Sequence, residues 1–105
     1  MKSEHQIQNE IRLALANNDC LVFRTNVGKV QTMNGTWFDT GLPNGFTDLC
    51  GCRLSDGKMF FIEVKNEKGK LRPAQEIFIN KMKSYGLIAG VARSSEEALK
   101  IALED

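Results

Sequence analysis

Apolar positions near the N-terminus recur at helical spacing. Ile7, Ile11, Ala14 and Leu15 form one stripe, which predicts a helix over residues 3 to about 17. Ser3 as N-cap with Gln6 three residues on fits a capping box, and Asn17-Asn18-Asp19 ends the run. Continued one turn backwards, the stripe lands on Glu4, whereas Glu10 falls about a quarter-turn aside at ~100° per residue. Glu4 is therefore expected to face whatever the stripe packs on. The pattern then shortens to strand period. Residues 20–26, 47–53 and 59–65 read as three strands, the last two joined by the turn-rich Leu54-Ser55-Asp56-Gly57-Lys58. Pro73 opens a second helix, with Ala74, Phe78, Met82 and Tyr85 as its expected buried face and Gly86 as its stop. Residues 87–92 form a short apolar strand. Its place after a crossover helix predicts parallel pairing with an earlier strand. Ser94 and Glu97 make a second capping box before a last helix carrying Ala98, Leu99, Ile101, Ala102 and Leu103. The expected order is αβββαβα.

Residues 27–45 break this economy. The stretch holds Gly28, Gly35, Gly41, Gly45, the dipeptides Asn34-Gly35 and Asn44-Gly45, and Pro43, and it reads as one long connection. Trp37 and Phe38 lie inside it. They are expected either to close over the core, to stack on a nucleic-acid base or to seal a dimer. No repeat or linker interrupts the chain, so its 105 residues are expected to form one domain, 1–105.

Composition narrows the class. An apolar share of 42% and a charged share of 26% belong to an ordinary globular chain, and no apolar run approaches the ~20 residues of a membrane helix. The N-terminal Met1-Lys2-Ser3-Glu4-His5-Gln6 has no apolar signal core, which predicts a cytoplasmic protein with no membrane partner. Cys20, Cys50 and Cys52 then read as reduced thiols. A zinc site would need a fourth ligand, and the single His5 is poorly placed for it. The net charge of +1 decides nothing about nucleic acid, but its local distribution does: Lys65, Lys68, Lys70 and Arg72 face one nearby acid, Glu67.

The candidate chemistry lies on two of the strands. Asp48 opens one, in Gly45-Phe46-Thr47-Asp48-Leu49, and Glu63 and Lys65 close the next, in Phe60-Phe61-Ile62-Glu63-Val64-Lys65. If the two strands pair as a hairpin, both carboxylates and the ammonium converge at one end of it. A strand has no packing reason to place Glu and Lys on one face, two residues apart. Such a cluster is unfavourable without compensation, and a divalent cation opposite a phosphate would supply it.

These residues resemble the PD-(D/E)XK nuclease superfamily, and within it the small stand-alone VRR-NUC type of phages and bacteria. The likeness runs from Ser3 to Ala102. It rests on Glu4-x-x-Ile7-Gln8, Arg24-x-Asn26-x-Gly28, Gly45-Phe46-Thr47-Asp48-Leu49, Ile62-Glu63-Val64-Lys65, Gly69-Lys70-Leu71-Arg72-Pro73-Ala74-Gln75 and Arg93-Ser94-Ser95-Glu96-Glu97. Thr47 stands where the superfamily has its naming proline. The resemblance implies an α/β, restriction-endonuclease-like core with a mixed four-stranded sheet flanked by helices. It implies Mg²⁺ or Mn²⁺ held by Asp48, Glu63 and the Val64 carbonyl, with Glu4 completing the acidic cluster. Lys65 would act on the attacking water or the scissile phosphate, Gln75 would orient Lys65 or the phosphate, and Lys68, Lys70 and Arg72 would contact DNA.

The implied activity is a metal-dependent endonuclease acting on DNA. With no recognition module visible, structure-selective cutting of branched DNA such as four-way (Holliday) junctions is expected over sequence-specific cutting. Members that resolve junctions act as homodimers, so a homodimer is expected here too. Two other readings stand beside it: a catalytically silent nucleic-acid-binding module, and a nuclease subunit that needs a partner helicase.

Overall fold

A computed structural model of the chain describes residues 1–25, 27 and 29–104. Asn26 and Gly28 of the Arg24-x-Asn26-x-Gly28 stretch lie outside the described residues. The elements are α1 (Glu4–Ala16), β1 (Cys20–Arg24), β2 (Lys29–Gln31), β3 (Trp37–Asp39), β4 (Leu49–Arg53), β5 (Met59–Val64), α2 (Pro73–Ser84), β6 (Ile88–Ala92) and α3 (Ser95–Leu103). Four strands form one mixed sheet in the order β1-β4-β5-β6. β1, β4 and β5 pair antiparallel, and β5 pairs parallel with β6 across the α2 crossover.

The sheet carries a core on each face. On one face Ile7, Ile11 and Leu15 of α1 and Ala98 and Ala102 of α3 pack on Leu49, Phe60, Ile62, Val64 and Ala92. On the other, Ile79 of α2 packs with Phe61 and Ala89, flanked by Phe46, Cys50, Phe78 and Met82. β5 is buried from Phe60 to Val64, as a central strand covered on both sides must be. Its alternation sends Phe60, Ile62 and Val64 to the first core and Phe61 to the second. Glu63 therefore follows Phe61 onto the α2 face.

The helix starts agree with their capping signals. Ser3 Oγ accepts the Gln6 N–H at 3.1 Å, and Ser94 Oγ accepts the Glu97 N–H at 3.2 Å. The Glu97 carboxylate reaches back to the Arg93 N–H at 2.7 Å, one residue before the cap. Two expectations change. The stretch over 27–45 is not a featureless connection: β2 and β3 pair as an antiparallel hairpin around Asn34-Gly35, with Gly35 at φ 87°. Every β3 side chain is exposed, so the aromatic pair Trp37-Phe38 does not close over the core. On α2 the buried residues are Gln75 and Ile79, with Ala74, Phe78 and Met82 half-buried, whereas Tyr85 is exposed. Tyr85 is the C-cap, where the helix ends and its periodicity no longer applies. No helix among the described residues is long and apolar enough to cross a membrane. All three cysteines are free thiols.

Gly45 fixes the segment leading into β4. Its φ is 90°, and a Cβ built there would lie 2.2 Å from the Ala74 carbonyl oxygen at the start of α2. A left-handed conformation and a backbone contact both require glycine here. Gly45→Ala is expected to lower stability by ~1–3 kcal/mol or more, because the loop must leave α2. Thermal unfolding checks this, and an unchanged midpoint would contradict the contact.

Candidate active site

The β4–β5 ladder pairs Cys50 with Phe61 and Leu49 with Ile62. One step further along that register, Asp48 stands opposite Glu63. Here the backbone ladder stops and a side chain takes over: Asp48 Oδ2 accepts the Val64 N–H at 2.9 Å. A strand residue directs its N–H and C=O to the same edge, so the Val64 carbonyl lies on the Asp48 side. Two hydrogen bonds hold the Asp48 backbone. The Thr25 N–H donates to the Asp48 carbonyl at 2.9 Å, and the Thr25 hydroxyl donates to the Thr47 carbonyl. Thr47 is fully buried, with its own hydroxyl on the Leu49 carbonyl at 3.0 Å. It thus helps fix the bend that leads into Asp48.

Glu63 is 1% exposed, and its Oε2 has no hydrogen-bond partner among the described residues. On the same face of the sheet, Phe46, Phe61 and Phe78 pack edge-on and tilted, with centroids 4.8–5.8 Å apart. Burial pushes the Glu63 carboxyl up to about 9. The hydrogen bond to Asp48 and the Asp48 charge add to the rise, and the Lys65 ammonium opposes it. Without a cation, the pair therefore holds a proton at neutral pH. Two converging carboxyls, one with an orphaned buried oxygen, and a backbone carbonyl on the same side form an oxygen donor set. It fits a hard divalent cation that keeps several waters.

Lys65 is buried and begins the turn after β5, its N–H on the Ala92 carbonyl at 3.1 Å. Glu4, the first residue of α1, reaches this turn and accepts the Asn66 N–H at 3.4 Å. A Cβ built on Gly69 would lie 2.6 Å from Glu4 Oε2 and 3.2 Å from Lys65 Cδ, so the Glu4 carboxylate and the lysine stem meet at this glycine. Glu10 turns away, paired with Lys2 at 2.9 Å. Among the described residues no three His, Cys, Asp or Glu side chains gather as a metal cluster. The structure brings Asp48 and Glu63 together and leaves Glu4 on the lysine side. Gln75 is buried at the start of α2, where its Oε1 accepts the Arg72 N–H at 2.9 Å. That bond is half of a capping box, so Gln75 also terminates its helix.

Lys68, Lys70 and Arg72 are all exposed. The turn beneath them is ordered by Asn66, whose Oδ1 accepts the Lys68 and Gly69 N–H groups at 3.1 and 2.9 Å. Two contributors gave no clear signal in the sequence. Thr25 follows an edge strand and looks like any strand-end threonine. Arg93 precedes an N-cap, and its side chain reaches back to the carbonyls of Asn66 and Gly69. A hollow of about 400 Å³ lined by Leu71, Val91, Arg93, Glu97, Lys100 and Ile101 contains neither acid. The acid pair thus lies at the end of the sheet rather than in that cleft.

The family model of the VRR-NUC domain matches residues 3–96. A search of curated proteins gives no match. Among solved structures, a VRR_NUC domain is similar over 94% of this chain and 94% of that chain, with a TM-score of 0.67 and 21% identity. At that identity the likeness shows the fold.

The raised Glu63 carboxyl makes metal-free stability depend on pH. The unfolded glutamate ionises near 4.5 and the folded one near 9. The stabilising contribution is complete below pH 4.5 and is lost as pH rises towards 9, at most about 1.4 kcal/mol per pH unit. Glu63→Gln is expected to remove this slope. Urea unfolding in chelator from pH 5 to 8 checks it, and parallel pH profiles for the two proteins would contradict it.

Proposed function

Because the chain belongs to the VRR-NUC family, a family of nuclease domains, we propose that residues 1–105 act as a single metal-dependent endonuclease domain on DNA. The observation that carries this reading is the Asp48–Glu63 pair, in which the buried Glu63 carboxyl has an oxygen that a divalent cation could take up. Asp48, Glu63 and the Val64 carbonyl would hold Mg²⁺ or Mn²⁺. Once bound, such an ion lowers the pKa of a water and withdraws charge from the phosphoryl oxygen. The chain supplies the remainder. Lys65, on the face of Glu63, places an ammonium beside the attacking water or the phosphate as negative charge develops. Glu4 and Gly69 confine the lysine stem, so little ordering is needed during reaction. Gln75, buried at the start of α2, would orient Lys65 or the phosphate. Lys68, Lys70 and Arg72 provide sequence-independent contacts to the DNA backbone.

Branched DNA is the favoured substrate, and a homodimer the favoured assembly. A two-stranded hairpin is marginal in water on its own, and β2–β3 exposes Trp37 at 64% and Phe38 at 52%. A second copy would cover these rings and set two active sites on one two-fold substrate such as a four-way junction. The three free thiols fit a reducing compartment, hence the cytoplasm.

The test is cleavage of plasmid, linear duplex and a synthetic four-way junction, with Mn²⁺ and with chelator. Cutting is expected only with metal, and at the junction before the linear duplex. Binding without metal-dependent cutting would instead mark a silent module. Sedimentation is expected to give twice the chain mass of 11.8 kDa. A monomer with equal affinity for both DNAs would contradict the two-fold reading.

Lys65 and the exposed cations are expected to fail differently. Lys65→Ala should lower the cleavage rate at saturating DNA at least ~100-fold, with metal binding retained. Paired substitution of Lys70 and Arg72 by alanine should weaken binding and flatten its salt dependence. Single-turnover rates and salt titrations separate the two. Equal loss of binding in both variants, with neither slowing the chemical step, would contradict these roles.

A further inference from the structure

Lys65 stands at the start of a turn whose far end is held by a residue with no role so far. The Lys65 N–H bonds the Ala92 carbonyl at 3.1 Å, which anchors the start of the turn to the end of β6. The next residue on β6's side, Arg93, directs one guanidinium nitrogen to two carbonyls of the same turn, Asn66 O and Gly69 O, the second at 2.8 Å. Its backbone is fixed in turn, its N–H donating to Glu97 Oε1 at 2.7 Å on α3. Ala92 and Arg93 thus clasp the segment from Lys65 to Gly69 at both ends.

The clasp bears on the lysine because Gly69 does. Its Cα faces the Lys65 stem and the Glu4 carboxylate so closely that a Cβ there would lie 3.2 and 3.3 Å from Lys65 Cδ and Cβ. If Gly69 moves, the surface that confines Lys65 moves with it. Charge-assisted hydrogen bonds to two carbonyls are strong enough to hold a turn of this size, and an arginine makes them in a fixed geometry that an ammonium does not share.

We propose that Arg93 is a positioning residue for the cleavage reaction: it staples the 66–69 turn to β6, sets the Lys65 ammonium, and does not contact the DNA backbone. This inference rests on the nuclease reading above for its kinetic arm only. The structural arm stands without it.

The experiment uses the full chain with Arg93→Ala, Arg93→Lys, Lys65→Ala and the Lys65→Ala/Arg93→Ala double variant. Amide exchange, measured without DNA or metal, is expected to quicken at Lys68 and Gly69 in Arg93→Ala while the sheet stays protected. Unchanged exchange at those amides would overturn the staple, whether or not the protein cuts DNA. In single-turnover cleavage with Mn²⁺ at saturating DNA, Arg93→Ala is expected to lose about ten- to a hundredfold, as a misplaced catalytic group does, and Arg93→Lys to recover part of it. The double variant should be no slower than Lys65→Ala alone, because the two residues act on one step. The salt dependence of DNA binding should keep its wild-type slope. Additive losses, or a slope lowered by about one, would overturn the proposal and mark Arg93 as an independent phosphate contact. A wild-type protein that cuts nothing would remove the nuclease reading and leave the exchange result to decide the staple.

Discussion

One hydrogen bond organises this molecule: the Val64 N–H on the Asp48 carboxylate, at the point where the β4–β5 ladder gives out. A central strand cannot leave a buried N–H unpaired, and the neighbouring backbone has already bent away. The acid side chain completes the sheet in its place. The position of Asp48 is therefore set by the same bond that satisfies β5, and Glu63 stands opposite by register alone. The supports around it serve that bend. Thr25 and Thr47 hold the backbone on one side, and Gly45 lets the preceding loop touch α2 on the other.

What results is a site that works against folding. A carboxyl that is 1% exposed, with one oxygen unpartnered among the described residues, lies on the sheet face that buries Phe61. Protonation limits the penalty in the absence of metal, and a cation would remove it. Stored strain of this kind is typical where a scaffold holds groups ready for charge rather than for burial. Lys65 shows the same design at the turn, where its stem and the Glu4 carboxylate meet at Gly69 while its charge opposes the rise in the Glu63 carboxyl.

The core of this arrangement was legible in the sequence because period two decides faces. Two acids at matching ends of strands joined by a short turn must meet if the hairpin forms, and they do. The mixed sheet and the parallel β6 followed from one crossover helix. The β2–β3 hairpin was not legible as strands. Each is three residues long, and the Trp37-Phe38 pair is exposed rather than alternating in and out, so no burial pattern marks it. Tyr85 was misplaced because an apolar stripe says nothing about where its last turn frays. Gln75 was expected to orient Lys65 or the phosphate, and only the geometry shows that its side chain caps α2. Glu4 was correctly aimed at the site end of α1, but its neighbour there is the lysine turn. Thr25 and Arg93 act through backbone carbonyls distant in sequence, and such contacts leave no local pattern to read.

On the proposed reading, Asp48 and Glu63 form one proton-holding pair that would exchange its proton for a divalent cation. Calorimetric titration of Mn²⁺ at pH 7.5, in two buffers of different ionisation enthalpy, tests it directly. Binding is expected to release about one proton per ion in the wild type and to be lost in Asp48→Asn, whose side-chain oxygen can still accept the Val64 N–H and so keep the fold. Undiminished Mn²⁺ affinity in Asp48→Asn, or wild-type binding with no proton released, would contradict it.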